Sequence, residues 1–166
     1  MGRHIKKQDL DKLKRDIDNS KNIVVYGTIK SCKDSFILEL LERLGDDYIG
    51  LCIGEMAYYC TLDDVWDASK RMVNYNDLDN LELFALAASH KVVIIVTSRD
   101  YYKEVYRIQK LLNNAPLIIT ADDKKPNSGY YTKEFIEQST VVGVKLYNSD
   151  GYIIRGYLIE SYLIES

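Results

Sequence analysis

The stretch GTIKSCKDS, which begins at Gly27, has the outline of a phosphate-binding loop. Such loops follow the pattern G-x-x-x-x-G-K-[ST], in which backbone N–H groups cradle phosphates, the lysine reaches the β- and γ-phosphates and the hydroxyl holds Mg²⁺. After four residues this chain continues with Cys32, Lys33, Asp34 and Ser35. The candidate nucleotide-binding residues are therefore Gly27, Lys33, Asp34 and Ser35.

Three departures from the pattern weigh against a working site. The run Ile29-Lys30-Ser31 is bulky where such loops often carry another glycine, and Cys32 places a Cβ where the backbone should approach the ligand. Asp34 replaces the Mg²⁺-binding hydroxyl with a carboxylate that would repel phosphates. Three interpretations stay open: a working nucleotide site, a decayed one, and an ordinary strand–turn–helix junction.

The neighbouring segments place this loop where a phosphate site would form. Residues 22–27, NIVVYG, are typical of a buried strand, and residues 35–45, SFILELLERLG, have helical apolar spacing. A helix N-terminus after a strand can hold phosphate through its free N–H groups and its dipole. A second predicted strand, 48–54, ends just before Glu55. Glu55 is a candidate catalytic residue that could orient a water, or else a solvated glutamate at a strand end.

The rest of the chain alternates between helical and strand patterns until about residue 121 and then changes. KVVIIVTS at 91–98 is predicted to be a central strand, and 141–160 an antiparallel hairpin around an Asp-Gly turn. MVNYND at 72–77 fits either a helix end or a polar strand. The pattern predicts an α/β protein with three layers and a mainly parallel, doubly wound sheet. Further predicted elements are helices at 7–19, 61–71, 78–90 and 101–112 and a strand at 115–121.

Composition limits the classes of function. The chain has 166 residues, which suits a single domain, and a net charge of −3 with a pI near 5.4 argues against binding nucleic acid by bulk charge. No apolar run is long enough to span a membrane and the N-terminus lacks a signal-peptide core, so we expect a cytoplasmic protein. Three cysteines without a C-x-x-C pair support neither disulfides nor zinc. The composition leans toward that of a thermophile.

The order of these segments resembles the RecA-like ATPase core of archaeal recombinase paralogs and KaiC-like P-loop proteins. NIVVYGTIKSCKDSFILELL is similar to the family's strand, phosphate loop and first helix, and YIGLCIGEM to its second strand with a catalytic glutamate, here Glu55. The resemblance implies that MVNYND is a degenerate Walker B strand with Asp77 as the metal ligand. It also implies a polar sensor at Thr97 or Ser98, and a terminal hairpin at 141–160.

The same resemblance suggests surfaces for partners. The loop DDKKPNSGYYTK lies where the family contacts DNA, and its tyrosines could stack on bases. FALA, at 84–87, is similar to a Phe-x-x-Ala docking contact of recombinases, but on a helix that faces the core we expect it to pack internally. His4 and His90 are interpreted as structural. The candidate nucleic-acid residues are Lys124, Lys125, Tyr130 and Tyr131.

Three functional hypotheses follow. The first is a degenerate RecA-like protein over 1–166 that hydrolyses ATP poorly or not at all and is an accessory or regulatory partner in DNA recombination or repair. The second is an ATPase with an atypical loop, using ATP and Mg²⁺. The third is a nucleic-acid-binding or interaction module without a nucleotide. We expect self-association or binding to a related recombinase-type ATPase through the hairpin or the N-terminal helix (1–20), with the second YLIES copy, 162–166, as a flexible tail.

Overall fold

A computed structural model shows an α/β fold with one seven-stranded sheet. The structure describes residues 5–26, 33–54, 72–97, 102–121, 135, 137–149 and 152–161. The helices are α1 (Lys7–Asp18), α2 (Lys33–Leu44), α3 (Asn80–Ser89) and α4 (Tyr102–Leu111), with a 3-10 helix at Tyr75–Asp77. The strands are β1 (Ile23–Tyr26), β2 (Tyr48–Ile53), β3 (Met72–Asn74), β4 (Lys91–Val96), β5 (Leu117–Ala121), β6 (Thr140–Ser149) and β7 (Tyr152–Ser161).

The strand order in the sheet is β3-β2-β4-β5-β1-β6-β7. The first six strands of this order pair in parallel, and β7 runs antiparallel to β6 from Thr140 opposite Ser161 to Ser149 opposite Tyr152. Both strands predicted to be central, β1 and β4, have a neighbour on each side. The predicted doubly wound α/β architecture is therefore confirmed.

Strands buried on both faces explain the continuous apolar runs in the sequence. In β1, Ile23, Val24 and Val25 have no exposed surface, and in β4 every residue except Lys91 is buried. Such strands cannot alternate between polar and apolar residues, because helices cover both faces of a parallel sheet. This is why KVVIIV identifies an interior strand from sequence alone.

Two apolar cores lie on opposite faces of the sheet. The core under α1 and α2 contains the apolar residues of both helices that recur at helical spacing, including Leu13, Ile17 and Phe36. The core on the other face contains Val105 and Ile108 of α4. Helices therefore pack on each side of the sheet, which gives the three layers that the sequence predicts.

Helix α2 packs closely over Gly50 of β2. A Cβ on Gly50 would lie 2.9 Å from Cδ1 of Ile95 and 3.1 Å from Cδ2 of Leu41. Leu41 belongs to α2, so the helix sits almost directly on the backbone of β2. A larger residue at position 50 would require the ends of the Ile95 and Leu41 side chains to move. This contact fixes where α2 lies over the sheet.

Polar contacts anchor the N-terminal segment to the rest of the fold. The backbone N–H of Ile5 donates to Oε1 of buried Glu39 at 2.7 Å, and Arg43 donates to the Ile5 carbonyl. Farther along α1, the hydroxyl of buried Thr140 donates to Oδ2 of Asp16 at 2.5 Å. Because these partners lie on α2 and β6, α1 is bound to both.

Helix α3 packs with a different face from the one expected. The apolar stripe of Leu81, Phe84, Ala85 and Ala88 was expected to face the core, and this expectation is wrong. Leu81 is 78% exposed and Phe84 is 50% exposed, and both alanines are also exposed. The helix instead turns Leu83 into the core, with Leu86 and Ala87 packed against it. A helix with two apolar stripes can bury either one, and the position of α3 near the sheet edge decides which.

The segment MVNYND is resolved as the polar strand β3 followed by the 3-10 helix. Strand β3 is three residues long and pairs only with β2 at the sheet edge. Met72 and Val73 of β3 are half-buried, and the polar residues of the segment lie at the end of β3 and in the 3-10 helix. The predicted helix at 61–71 and the tail at 162–166 lie outside the described residues. No helix in the described part of the chain is both long and apolar enough to cross a membrane.

Candidate functional site

The candidate site lies along the edge of the sheet where the parallel strands end. In a doubly wound sheet, ligands bind outside the carboxyl ends of the strands at the point where the chain direction reverses. Here that point is at β1. The chain that leaves β1 continues to β2 on the β5 side of the sheet, whereas the later connection from β5 leads to β6 on the other side of β1. The backbone N–H of Thr97, just past β4, donates to the Ile53 carbonyl at 3.1 Å and ties the ends of β4 and β2 together.

The amino terminus of α2 carries the described half of the predicted phosphate loop. Lys33 is the first residue of the helix, Asp34 is in its first turn, and both side chains are half-buried. Ser35 also belongs to this first turn. The partial positive charge of a helix N-terminus favours an anion here. Lys33, Asp34 and Ser35 thus begin one helix, and their role in binding a nucleotide stays a prediction. Gly27 and Cys32 lie outside the described residues.

The charge of Asp34 reaches the end of strand β2. Burial raises the pKa of the Cys52 thiol from 9.0 to about 11, and the Asp34 carboxylate adds to that shift. Cys52 is 6% exposed, and its Sγ donates to the Gly54 carbonyl at 3.6 Å. The Asp34 carboxylate therefore adds negative charge between the start of α2 and the end of β2. This electrostatic influence was not predictable from the sequence, because Asp34 and Cys52 share no motif.

The structure does not bring Asp77 to the amino terminus of α2. Asp77 ends the 3-10 helix after β3, at the far edge of the sheet, and is exposed. Strands β2, β4 and β5 lie between β3 and β1, so β3 and β1 are about 19 Å apart at roughly 4.8 Å per strand. A metal held by Asp77 could not contact a phosphate beside Lys33. The polar composition of MVNYND was the available signal, because it is typical of an edge strand.

The remaining predicted site residues are only partly described. Thr97, one of two predicted sensor residues, follows β4 and is half-buried at the candidate edge. Ser98 and the candidate catalytic residue Glu55 lie outside the described residues. So do the candidate nucleic-acid residues Lys124, Lys125, Tyr130 and Tyr131. Their roles remain predictions.

The described residues do not fit Mg²⁺-ATP well. Lys33 can supply one positive charge, but Asp34 places a carboxylate one residue farther along the same helical turn. Within the described ranges, no three His, Cys, Asp or Glu side chains lie close enough to hold a metal ion. At the end of β4, Thr97 offers a neutral hydroxyl and no carboxylate.

Comparison with known proteins supports the fold. No protein-family model matches the chain, and no curated protein matches it. Among solved structures, the chain is similar to a KaiC-like protein from the hyperthermophilic archaeon Pyrococcus horikoshii, with a TM-score of 0.53 and 13% sequence identity. The match covers 86% of this chain and 80% of that one. The chain therefore has the RecA-like α/β fold, and a fold alone does not specify a function.

Proposed function

We propose that this chain is a RecA-like protein that no longer hydrolyses ATP and is a regulatory or accessory partner in DNA recombination or repair. The observation that carries the first half of this proposal is Asp34 in the first turn of α2, beside Lys33. The RecA-like fold supports the association with recombinase-type ATPases. A cytoplasmic location is part of the proposal.

Electrostatics explains why Asp34 opposes a nucleotide. Two unit charges about 4 Å apart interact by about 4 kcal/mol at an effective dielectric constant of about 20. An aspartate and a lysine at one helix terminus therefore act on a phosphate with similar and opposite strength. The Asp34 carboxylate also raises the pKa of Cys52, so its field extends toward the strand ends where a γ-phosphate would lie. Lys33 alone is not enough to hold a triphosphate there.

Calorimetric titration with Mg-ATP tests this proposal. We expect no binding at micromolar concentrations by the natural chain, and no change in Lys33→Ala. The double variant Cys32→Gly with Asp34→Thr should gain binding, because it removes both the crowding and the repulsion. Asp9→Thr is the matched control, since Asp9 lies in the first turn of α1 and should have no effect.

Two results would count against the proposal. Tight Mg-ATP binding by the natural chain that disappears in Lys33→Ala would show a working ATPase-type site with an atypical loop. No gain in the double variant would mean that the segment is an ordinary strand–turn–helix junction and not a decayed site.

The proposed partner is a protein, either a second copy or a related recombinase-type ATPase. The N-terminal helix does not offer its apolar stripe for this contact, because Leu13 and Ile17 are buried in the chain's own core. Strand β7 is the better surface, since it is ten residues long and occupies the sheet edge next to β6. The unpaired N–H and C=O groups of an edge strand can pair with another strand.

Light scattering on the full chain and on a chain truncated after Ser161 tests this contact. We expect the full chain to exceed its monomer mass of 19.2 kDa at high concentration. An Ile154→Pro variant in β7 should reduce association, because proline cannot donate a backbone hydrogen bond. A strict monomer, together with no recombinase-type protein retained from the native lysate, would contradict the partner proposal.

A further inference from the structure

A cavity opens at the edge of the sheet opposite the candidate phosphate site. It has a volume of about 460 Å³, within the range of small-molecule sites. It lies where β2, β4 and β5 begin and where α1, α3 and α4 end. All of its lining residues are among those the structure describes. They are Ile17, Asp18, Ser20, Tyr48, Ala87, His90, Lys91, Val92, Leu112, Asn113, Ala115 and Pro116.

The cavity has apolar walls and a polar rim. Ile17, Val92 and Leu112 are buried members of the two cores, and Ala87 and Ala115 are small enough to leave the space open. The polar groups come from different elements and share only their position at this edge. This combination suits a ligand with an apolar body and one charged group.

Asp18 is the focus of the polar rim. The hydroxyl of Tyr48 donates to its Oδ1, and the Lys91 ammonium lies 3.9 Å from the same oxygen. Tyr48 is 2% exposed, and burial together with the Asp18 charge raises the pKa of its phenol, so that it stays a neutral donor. Both described contacts of Asp18 are made at Oδ1. The carboxylate is therefore held in place with Oδ2 able to accept from a ligand.

The surrounding backbone adds to the negative potential. Helices α1, α3 and α4 all end at the cavity, and helix C-termini carry partial negative charge. Helices α1 and α4 each have a basic residue in the last turn, Arg15 and Lys110, whereas α3 has none. Lys91 is the opposing charge, but its side chain is 61% exposed and lies 5.1 Å from the Tyr48 ring centroid, partly directed to solvent. A ligand ammonium that takes its place must replace its contacts with the Tyr48 ring and the Asp18 carboxylate.

We propose that this cavity binds a small amphiphilic amine, that is, a protonated primary amine on an aromatic or aliphatic body. The ammonium donates to Asp18 Oδ2 and displaces Lys91, while the body packs on Ile17, Val92 and Leu112. An anion would meet Asp18 and three helix C-termini. A neutral ligand would leave the Asp18 carboxylate without a charged partner once Lys91 is displaced. This site does not depend on the proposed function above.

Amide NMR titration with 2-phenylethylamine tests the proposal. We expect shifts of the Ala87, Val92 and Ala115 resonances and a dissociation constant below about 1 mM, which is within reach of a ligand of this size. The neutral 2-phenylethanol should bind at least tenfold more weakly, and 3-phenylpropionate should not bind. Equal binding by amine and alcohol, or shifts confined to other parts of the chain, would overturn the proposal.

Two pairs of variants locate the binding. Asp18→Asn should weaken amine binding at least tenfold, whereas Asp11→Asn, an exposed position on the same helix, should not change it. Ala87→Phe should fill the cavity and abolish binding, whereas Ala88→Phe, on the exposed side of α3, should preserve it. If Asp18→Asn does not fold, the alanine pair decides alone. Unchanged binding in Ala87→Phe would overturn the proposal.

One further ligand separates a free amine from a lysine side chain of a partner protein. N-acetyl-lysine methylamide carries the same ammonium on a flexible stem that covers less of the apolar wall and loses more rotamer freedom on binding. We expect it to bind more weakly than 2-phenylethylamine. The reverse order would assign the cavity to a protein partner and overturn the small-molecule proposal.

Discussion

The two edges of this sheet differ in how their chemistry is encoded. The carboxyl edge carries a sequence motif, with Lys33 and Asp34 in consecutive positions of one helical turn. The amino edge carries no motif, yet it has a cavity whose polar groups come from separate elements, among them Asp18, Tyr48 and Lys91. At the carboxyl edge the order of residues suggests a phosphate site, but the negative charge of Asp34 opposes phosphate binding. At the amino edge, only the fold brings the residues together.

A motif and a site are therefore separate observations. A motif reports which residues are adjacent along the chain, and its chemistry still depends on the charges that the fold places around it. At the carboxyl edge, Asp34 extends negative charge toward Cys52. At the amino edge, Tyr48 fixes the position of Asp18 across 30 residues of sequence. The geometry and charges at each edge of the sheet therefore indicate function better than a sequence motif does.

The largest effect is expected at the wall of the amino-edge cavity. Tyr48→Ala should lower the free energy of unfolding by about 3–5 kcal/mol, because it removes a large buried ring. Tyr48→Phe keeps the ring and loses only the hydroxyl contact with Asp18, so its cost should be about 0.5–1.5 kcal/mol. Urea denaturation measures both. Equal losses would mean that the hydrogen bond, and not the ring, supports this edge.

At the carboxyl edge, Cys52 should make stability depend on alkaline pH. Its pKa is raised from 9.0 to about 11 in the folded chain, so the folded state holds the thiol proton more tightly than the unfolded state. This contribution is complete below pH 9 and is lost as pH rises toward 11, on the order of 3 kcal/mol in all.

The measurement compares unfolding free energies of the natural chain and Cys52→Ala from pH 8 to pH 11. Both proteins share the titration of Tyr48, so their difference isolates Cys52. Asp34→Asn should narrow the pH range of the decline, because it removes one of the two causes of the shift. A constant difference between the proteins across this range would contradict the predicted role of burial at this edge.

A smaller effect is expected from the helix that reaches from one edge to the other. Asp79 accepts from the Glu82 N–H at 2.8 Å, and the Glu82 carboxylate accepts from the Asp79 N–H at 3.3 Å, which forms a capping box at the start of α3. Asp79→Ala should cost about 1 kcal/mol in thermal or urea unfolding. Asp79→Asn, which retains an acceptor, is the control and should cost less.

The smallest effects are expected on the exposed stripe of α3. Leu81→Gln and Phe84→Gln should each change the unfolding free energy by less than about 0.5 kcal/mol, because both side chains are at least half exposed. Leu83→Gln on the buried stripe is the comparison and should be strongly destabilising. A large loss in Phe84→Gln would mean that the predicted internal packing of FALA holds after all.

Local sequence patterns were sufficient where burial alone decides structure. Strands β1 and β4 were predicted because continuous β-branched runs have few alternatives, and α2 because its apolar face repeats at helical spacing. The orientation of α3 could not be predicted, since Leu81 and Leu83 begin two competing stripes. Which stripe is buried depends on where β3 and β4 place the helix.

The candidate site was predictable only within one segment. Lys33 and Asp34 were found because they are adjacent, and their place at a helix start follows from the strand before them. Asp77 was expected to lie near these two residues and does not. Strand order is set by long-range pairing, which no local pattern contains. The cavity at the amino edge was not predictable for the same reason, since its lining comes from α1, β2, α3, β4 and the segments between elements.

The pairing of β1 has a consequence for how the chain is made. Ile23 lies beside Ile118 on one side and Thr140 on the other, so β1, the first strand of the chain, is synthesised long before either neighbour exists. Contacts between such distant residues slow folding. Until the last quarter of the chain leaves the ribosome, the segment Ile23–Tyr26 presents two unpaired apolar edges that other chains can capture. Yield during synthesis should therefore depend on translation speed and chaperone supply more than on the final stability of the fold.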